Sequence, residues 1–352
     1  MICFLEHKEE MLYLVTGASG YIGGNLVQRM SEREMKVRVL VRRTSNVQKL
    51  LELKNVEICC GDVTDISSLE KAVRDCHMVF HLAGYVEHWG DYKKFYEVNY
   101  RGTKNILQAS IDTKVKKIIY ISSIGALNLS GKGVIREDHS YGNFTSSYCR
   151  SKAEAEKLVR KYSDSISTII IRAPAVYGPE DFLFTWKALN LARKNLLFVI
   201  DHGKAIFPYI YIENLIDVIL LASQKKEAIG EIFNVTDGTN ISALEFFNHF
   251  NHLVGKGNIR ISLPYPMAWN LALGLDIFNK LTGKPPLLSW TALEFLTLKC
   301  RFDISKAREK LGYKPSISLK VGMERVKLWW EEEMRRKELK RKRQRSAINL
   351  VS

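Results

Sequence analysis

Three glycines spaced three apart, Gly17, Gly20 and Gly23, constrain this chain more than any other feature. They sit in Thr16-Gly17-Ala18-Ser19-Gly20-Tyr21-Ile22-Gly23, directly after the run Leu12-Tyr13-Leu14-Val15. A short apolar run of that kind reads as a buried parallel strand. Asn25-Leu26-Val27-Gln28-Arg29-Met30 continues with helical spacing, and a second strand follows at residues 36–41. A glycine turn between a buried strand and a helix lets backbones approach closely. It also leaves N–H groups of the first helical turn facing an anion. With Gly17 making the turn, Ser19, Gly20, Tyr21 and Ile22 are the candidates to hold a dinucleotide pyrophosphate. A plain β-turn-α unit without a ligand is the alternative.

The second strand ends without the acid that would bond the ribose 2′-hydroxyl of NAD. Val41 holds that position, followed by Arg42, Arg43, Thr44 and Ser45. Two guanidiniums suit a 2′-phosphate, so NADP(H) is favoured and NAD(H) is the alternative. A solvated basic turn is the plainer reading. Cys59-Cys60-Gly61-Asp62-Val63-Thr64-Asp65 follows a third strand. Asp62 and Val63 are placed to meet an adenine edge, and Asp62 is also a candidate N-cap for the helix from Ser67. Val79-Phe80-His81 runs into the small-residue turn Leu82-Ala83-Gly84, where a cofactor can lie against backbone. Lys117-Ile118-Ile119-Tyr120-Ile121-Ser122-Ser123 is a fifth strand ending in hydroxyls.

Tyr148 and Lys152 are four apart, so on a helix they share a face. A free phenol has a pKa of about 10 and is a poor base near neutrality. An ammonium beside it stabilises the phenolate, so the Tyr148 pKa is expected to fall.

With these pieces in place, the chain resembles an extended short-chain dehydrogenase/reductase of the epimerase/dehydratase type. The matching segments are TGASGYIG, GDVTD, VFHLAG, VNYRGT, YISS, YCRSK, RAPAVYGP, YIYIENLIDVILLA, IFNVTDG and DISKAREKLGYKP, in family order across nearly the whole chain. LVRRTSN and the apolar region near 263–300 look most like the 3β-hydroxysteroid dehydrogenase and dihydroflavonol reductase branches. The resemblance implies an α/β fold: a Rossmann-type doubly wound parallel sheet with a smaller, discontinuous C-terminal substrate lobe. It implies a cofactor domain at 11–178 with returning segments near 205–240, and a substrate lobe mainly at 179–330. It makes Tyr148 the general acid/base, Lys152 a partner of the nicotinamide ribose, and Ser123 the group that orients the substrate oxygen. Val176 would pass the nicotinamide. Asn99 would support Lys152 through water or cap a helix. Tyr85, His88 and Trp89 are candidates to line the substrate pocket. One departure is Ala173, which stands where the family pattern has proline, with Pro174 next.

The rest of the chain narrows the function. The six cysteines, at 3, 59, 60, 76, 149 and 300, show no metal spacing and read as reduced thiols of a cytoplasmic protein. The histidines are scattered, and no metal is expected. No run of about 18 apolar residues indicates a spanning helix. The stretch 264–298 is rich in large apolar residues, readable as a packed lobe helix or as a substrate lid and membrane-interface patch. The formal net charge is +15, and residues 331–352 carry eight Lys and Arg against four Glu. Such a basic tail is expected to be disordered and solvated, with anionic lipid next and nucleic acid least favoured. The leading reading is an NADP-dependent oxidoreductase that interconverts a secondary alcohol and a ketone on an apolar molecule. The alternatives are a nucleotide-sugar epimerase or dehydratase with tightly held NAD, and a non-catalytic dinucleotide-binding protein. By analogy, the helices around 99–111 and 147–162 are the candidate contacts of a homodimer.

Overall fold

A computed structural model describes residues 11–87 and 89–349, with side chains to residue 342; residues 1–10 and His88 lie outside. Strands and helices alternate through the first half. In order they are β1 (Leu12–Thr16), α1 (Tyr21–Glu32), β2 (Lys36–Val41), α2 (Gln48–Leu51), β3 (Val56–Cys60), α3 (Ile66–Val73) and β4 (Cys76–His81). Then come α4 (Tyr92–Phe95), a π-turn at Tyr96–Arg101, α5 (Gly102–Asp112), β5 (Lys117–Ser123), β6 (Lys132–Ile135), α6 (Ser147–Lys161), β7 (Ser167–Ala173) and β8 (Ala175–Tyr177). The second half holds α7 (Thr185–Arg193), β9 (Phe198–Ile200), β10 (Tyr209–Tyr211), α8 (Ile212–Gln224), β11 (Ile232–Asn234), α9 (Ala243–Leu253) and β12 (Ile261–Leu263). It closes with α10 (Tyr265–Thr282), α11 (Trp290–Leu296), β13 (Lys299–Phe302), α12 (Ser305–Leu311) and α13 (Leu319–Asn349).

Seven strands form one parallel sheet in the order β11-β7-β5-β4-β1-β2-β3. Neighbouring residues on one strand point to opposite faces, and the sheet uses both. Val15, Phe80, Ile119 and Ile171 join a core with α1 and α8. Leu14, Val79, Ile118 and Ile170 join a second core with α3, α5 and α6. Continuous apolar strands are what a sheet covered on both faces requires. The strand order reverses between β1 and β4, which opens a crevice at the carboxyl ends of those strands. The β5–β7 register pairs Ser123 with Ala173 at that same edge.

Two expectations need correction. Residues 331–349 continue α13 as helix rather than forming a disordered tail. Glu, Lys and Arg favour helix, Arg336 pairs with Glu332 one turn away, and Lys337 Nζ stands 3.6 Å from the Trp186 ring centre. The apolar stretch is a packed lobe element only in part: Ala268, Ala272, Leu288 and Leu293 form a small core, while the outer face of α10 is left open. In α10 only Ala268, Ala272 and Asn279 are buried. Met267, Trp269, Ile277, Phe278 and Leu281 are exposed, Leu281 by 81 %. Small residues occupy the inward face, so the large side chains are left outside.

Candidate active site

The glycine turn is built around close approach. Gly17 has φ +74°, and a Cβ there would lie 2.7 Å from the Ala83 nitrogen. A Cβ on Gly23 would stand 2.2 Å from the Gly17 carbonyl oxygen. The α1 helix begins at Tyr21 with Gly20 as its cap, no side-chain cap bond and no acid in its first turn. Its leading N–H groups and positive dipole end are therefore available to a phosphate. This cradle fits a dinucleotide pyrophosphate.

Around it the other predicted cofactor residues converge. Ser19 Oγ meets Ser45 Oγ at 3.2 Å, which ties the glycine turn to the end of β2. Arg42 and Arg43 are exposed there. The Asp62 carboxylate accepts from Thr64 N and Oγ1 at 2.9 and 2.8 Å. Asp65, not Asp62, caps α3, accepting from Ser67 N. The turn needs both acids because each closes a separate two-residue loop. Below Leu82, Ala83 and Gly84, Thr16 Oγ1 accepts from Ala83 N at 3.1 Å and contacts His81 Nδ1 at 2.8 Å. His81 Nε2 reaches Thr103 Oγ1, and full burial pushes its pKa down to about 3. Val176 lies on β8, opposite Ile210 of β10.

The proton-transfer candidates meet beside this cradle. Ser146 caps α6 by accepting from Cys149 N, so the helix starts just ahead of Tyr148. Ser123, whose Oγ accepts from Gly125 N at 3.1 Å, acts on the Tyr148 phenol to lower its pKa. Burial pushes the phenol up to about 12, against the lowering effect of Ser123. The expected fall is thus reversed in this structure. The reason is geometric: Lys152 Nζ turns away to donate to the Ile121 carbonyl at 2.6 Å, and it lies 4.4 Å from the Tyr120 ring centre. Burial lowers the Lys152 pKa to about 7, with Glu156 opposing the shift. Asn99 does not cap a helix with its side chain. Set in the π-turn, its side chain clasps Tyr85 through Oδ1 to N and Nδ2 to O, and Nδ2 also donates to Ser151 Oγ. Among the described residues no three His, Cys, Asp or Glu side chains cluster to hold a metal ion.

A sequence profile decides what this cradle belongs to: that of the 3-beta hydroxysteroid dehydrogenase/isomerase family matches residues 14–263. The chain belongs to that family. It is an NAD(P)-dependent oxidoreductase of the short-chain dehydrogenase/reductase type. It is 26 % identical to the 3beta-hydroxysteroid-dehydrogenase/decarboxylase isoform 1 of Arabidopsis thaliana, over 91 % of this chain and 79 % of that protein. It is 27 % identical to sterol demethylase protein B of Methylococcus capsulatus, over 92 % and 99 %. A UDP-glucuronic acid 4-epimerase from Bacillus cereus, solved with NAD, shares the fold with a TM-score of 0.72 at 24 % identity, over 92 % and 99 % of the two chains.

Three groups of this family member escaped sequence reasoning. Phe95 packs edge-on to Tyr85 at 4.8 Å and to Tyr148 at 6.5 Å, so it carries the Tyr85 loop to the site. Of the other pocket candidates, Trp89 is half-buried on that loop. Glu156 is fully buried and ion-pairs Arg172 at 2.7 Å. It also accepts from Ser122 Oγ at 2.6 Å and Tyr141 OH at 3.1 Å. Its signal was present: Tyr148, Lys152 and Glu156 recur every fourth residue on one helical face. The third group, on α11, had no signal. Thr291 Oγ1 lies 2.6 Å from Ser146 Oγ, 145 residues away in sequence.

Proposed function

We propose that this family member is an NADP(H)-dependent oxidoreductase interconverting a secondary alcohol and a ketone on an apolar, sterol-like molecule. The observation that carries the reading is the meeting of Ser123, Tyr148 and Lys152 at the sheet edge beside the glycine cradle. The exposed Arg42 and Arg43 support NADP(H), because they can take a 2′-phosphate where an acid would repel it. When bound, the nicotinamide supplies or accepts the hydride. Ser123 donates to the substrate oxygen and orients it. Tyr148, whose phenol stays protonated at neutral pH, passes its proton to that oxygen as the carbonyl is reduced. Lys152 holds the ribose side. Residues 11–178 with 205–240 serve the cofactor, and 179–330 mainly the substrate.

The test is titration of the purified protein with NADPH and NADH. Preference for exchangeable NADPH, lost in Arg42→Ala, supports the reading. Tightly retained NAD points to an epimerase instead. Tyr148→Phe should lower turnover of an apolar ketone by about 10²–10⁴-fold with cofactor binding intact. Intact turnover in that variant sinks the proton assignment.

The exposed apolar face of α10 supports peripheral contact with a lipid surface. No described helix is long and apolar enough to cross a membrane. Sedimentation with phosphatidylserine vesicles should carry the protein down, and the pair Phe278→Glu and Leu281→Glu should release it. Equal binding by that double variant rules the contact out.

A further inference from the structure

The Lys152 ammonium is buried without a carboxylate of its own. The residue is 7 % exposed. Among the described residues no acid forms an ion pair with it, because Glu156, one turn further along α6, is committed to Arg172 at 2.7 Å. A buried ammonium is costly unless other groups take up its charge. Two groups from β5 do so. The Ile121 carbonyl accepts from Nζ at 2.6 Å. The ring of Tyr120 lies under the same nitrogen, with 4.4 Å from Nζ to the ring centre.

That ring is fixed in place. Tyr120 is fully buried in the core shared with α5 and α6. Its ring lies 5.7 Å from that of His81 in β4, and His81 is held in turn by Thr16 and by Thr103 of α5. The titratable and charged groups that face the ammonium come from two other directions. On α6, Glu156 raises the Lys152 pKa, and the Tyr148 phenol stays protonated at neutral pH. On β4, His81 stays neutral, because burial holds its pKa at about 3. Helix α5 adds the uncharged Thr103 hydroxyl. A π face attracts a cation through the ring quadrupole, more strongly where water is excluded.

We propose that Tyr120 is a positioning residue for Lys152: its ring face seats the ammonium by a cation–π contact near the carboxyl end of β5, beside the cofactor cradle. The Ile121 carbonyl takes one N–H of the ammonium, so two donors remain for a ribose. This inference rests on Lys152 serving the cofactor. Loss of the ring face from a dry site makes the charged form harder to hold and shifts the titration of Lys152 down by about one pH unit. A ring that only filled space would act in the opposite sense. Its loss would admit water and raise the Lys152 pKa toward its ordinary value.

The test is competitive acetylation of the full-length protein with acetic anhydride, from about pH 5 to about pH 10. Mass spectrometry of the peptide carrying Lys152 reads its titration midpoint, expected at about 7 in the wild type. Tyr120→Leu should lower that midpoint by about one unit. Tyr120→Phe, which keeps the ring, should hold the wild-type value. Tyr120→Met fills much of the same volume without a π face and replaces Tyr120→Leu if that variant does not fold. A midpoint that stays or rises in Tyr120→Leu and Tyr120→Met overturns the proposal. So does a fall in Tyr120→Phe as large as in Tyr120→Leu. The midpoint is read without cofactor or turnover. The cofactor role of Lys152 is read separately, by whether NADP⁺ protects it from the label, so the two can fail independently.

Discussion

Replacing Glu156 by Gln tests the physics of the site's foundation. The Arg172–Glu156 pair is sealed, with side chains 1 % and 0 % exposed. Arg172 gives Glu156 three N–H contacts between 2.7 and 3.2 Å, and its Nη1 donates to the Glu137 carbonyl. Glu156→Gln keeps the shape but leaves a buried guanidinium facing an amide. Breaking a buried pair from one side costs about 3–5 kcal/mol, because the remaining charge cannot reach water. At about 2 cal/mol/K per residue the unfolding entropy of 352 residues is roughly 0.7 kcal/mol/K. The melting temperature should therefore fall by about 4–7 °C. The assay is scanning calorimetry of wild type, Glu156→Gln, Arg172→Met and the double variant. The double variant should lose clearly less than the sum of the singles, because it strands no charge. Simple additivity would refute the reasoning. Glu156 also holds the Lys152 pKa up, so Glu156→Gln should leave more Lys152 neutral at pH 7. The alkaline limb of the pH–rate profile should shift down with it.

Other outcomes follow from single residues. Arg42→Ala should weaken NADPH binding by roughly 10–100-fold and leave NADH nearly unchanged, as expected for one charge-assisted contact to a phosphate; equal losses for both cofactors would remove the 2′-phosphate role. Gly23→Ala places a methyl against the Gly17 carbonyl and should abolish binding of both cofactors by calorimetric titration. His81 is neutral when folded down to about pH 3, whereas the unfolded residue takes a proton below about 6.5. Its stabilising contribution is complete above pH 6.5 and is lost toward pH 3, with a slope of at most about 1.4 kcal/mol per pH unit, which His81→Gln should remove from urea midpoints. Asp237 runs the other way. Burial raises its folded pKa to about 7, so stability drops as pH rises from about 4 to 7, and Asp237→Asn should flatten that limb.

The periodic and local features of the molecule were legible in the sequence. Five strands of the sheet announced themselves as short apolar runs, and the glycine turn named its own ligand chemistry. Motif spacing also brought Ser123, Tyr148 and Lys152 to one place, because strand ends and helix faces follow simple periods. What was not legible depended on direction and distance. The Lys152 ammonium lies on the right face, but whether it reaches the phenol depends on the Ile121 carbonyl competing for it. The outward large side chains of α10 were one of two open readings, because its composition suits a core equally well. The α11 contacts required packing of segments 145 residues apart, which no local pattern encodes.

The π-turn at Tyr96–Arg101 has a consequence of phase. Each residue of a regular α-helix advances the side-chain direction by about 100°, and a π-turn behaves as a one-residue insertion that resets this angle. Before the turn, Phe95 points inward to Tyr85 and Tyr148. After it, Ile106 and Leu107 point inward to the sheet. Between them Asn99 reaches Tyr85 and Ser151 at once. Deleting one residue here would restore an unbroken helix and swing either Phe95 or the α5 core side by about 100°. The clasp of Asn99 thus depends on a count of residues as well as on their identities. Length changes in this segment should be tolerated far less than substitutions on its outer face.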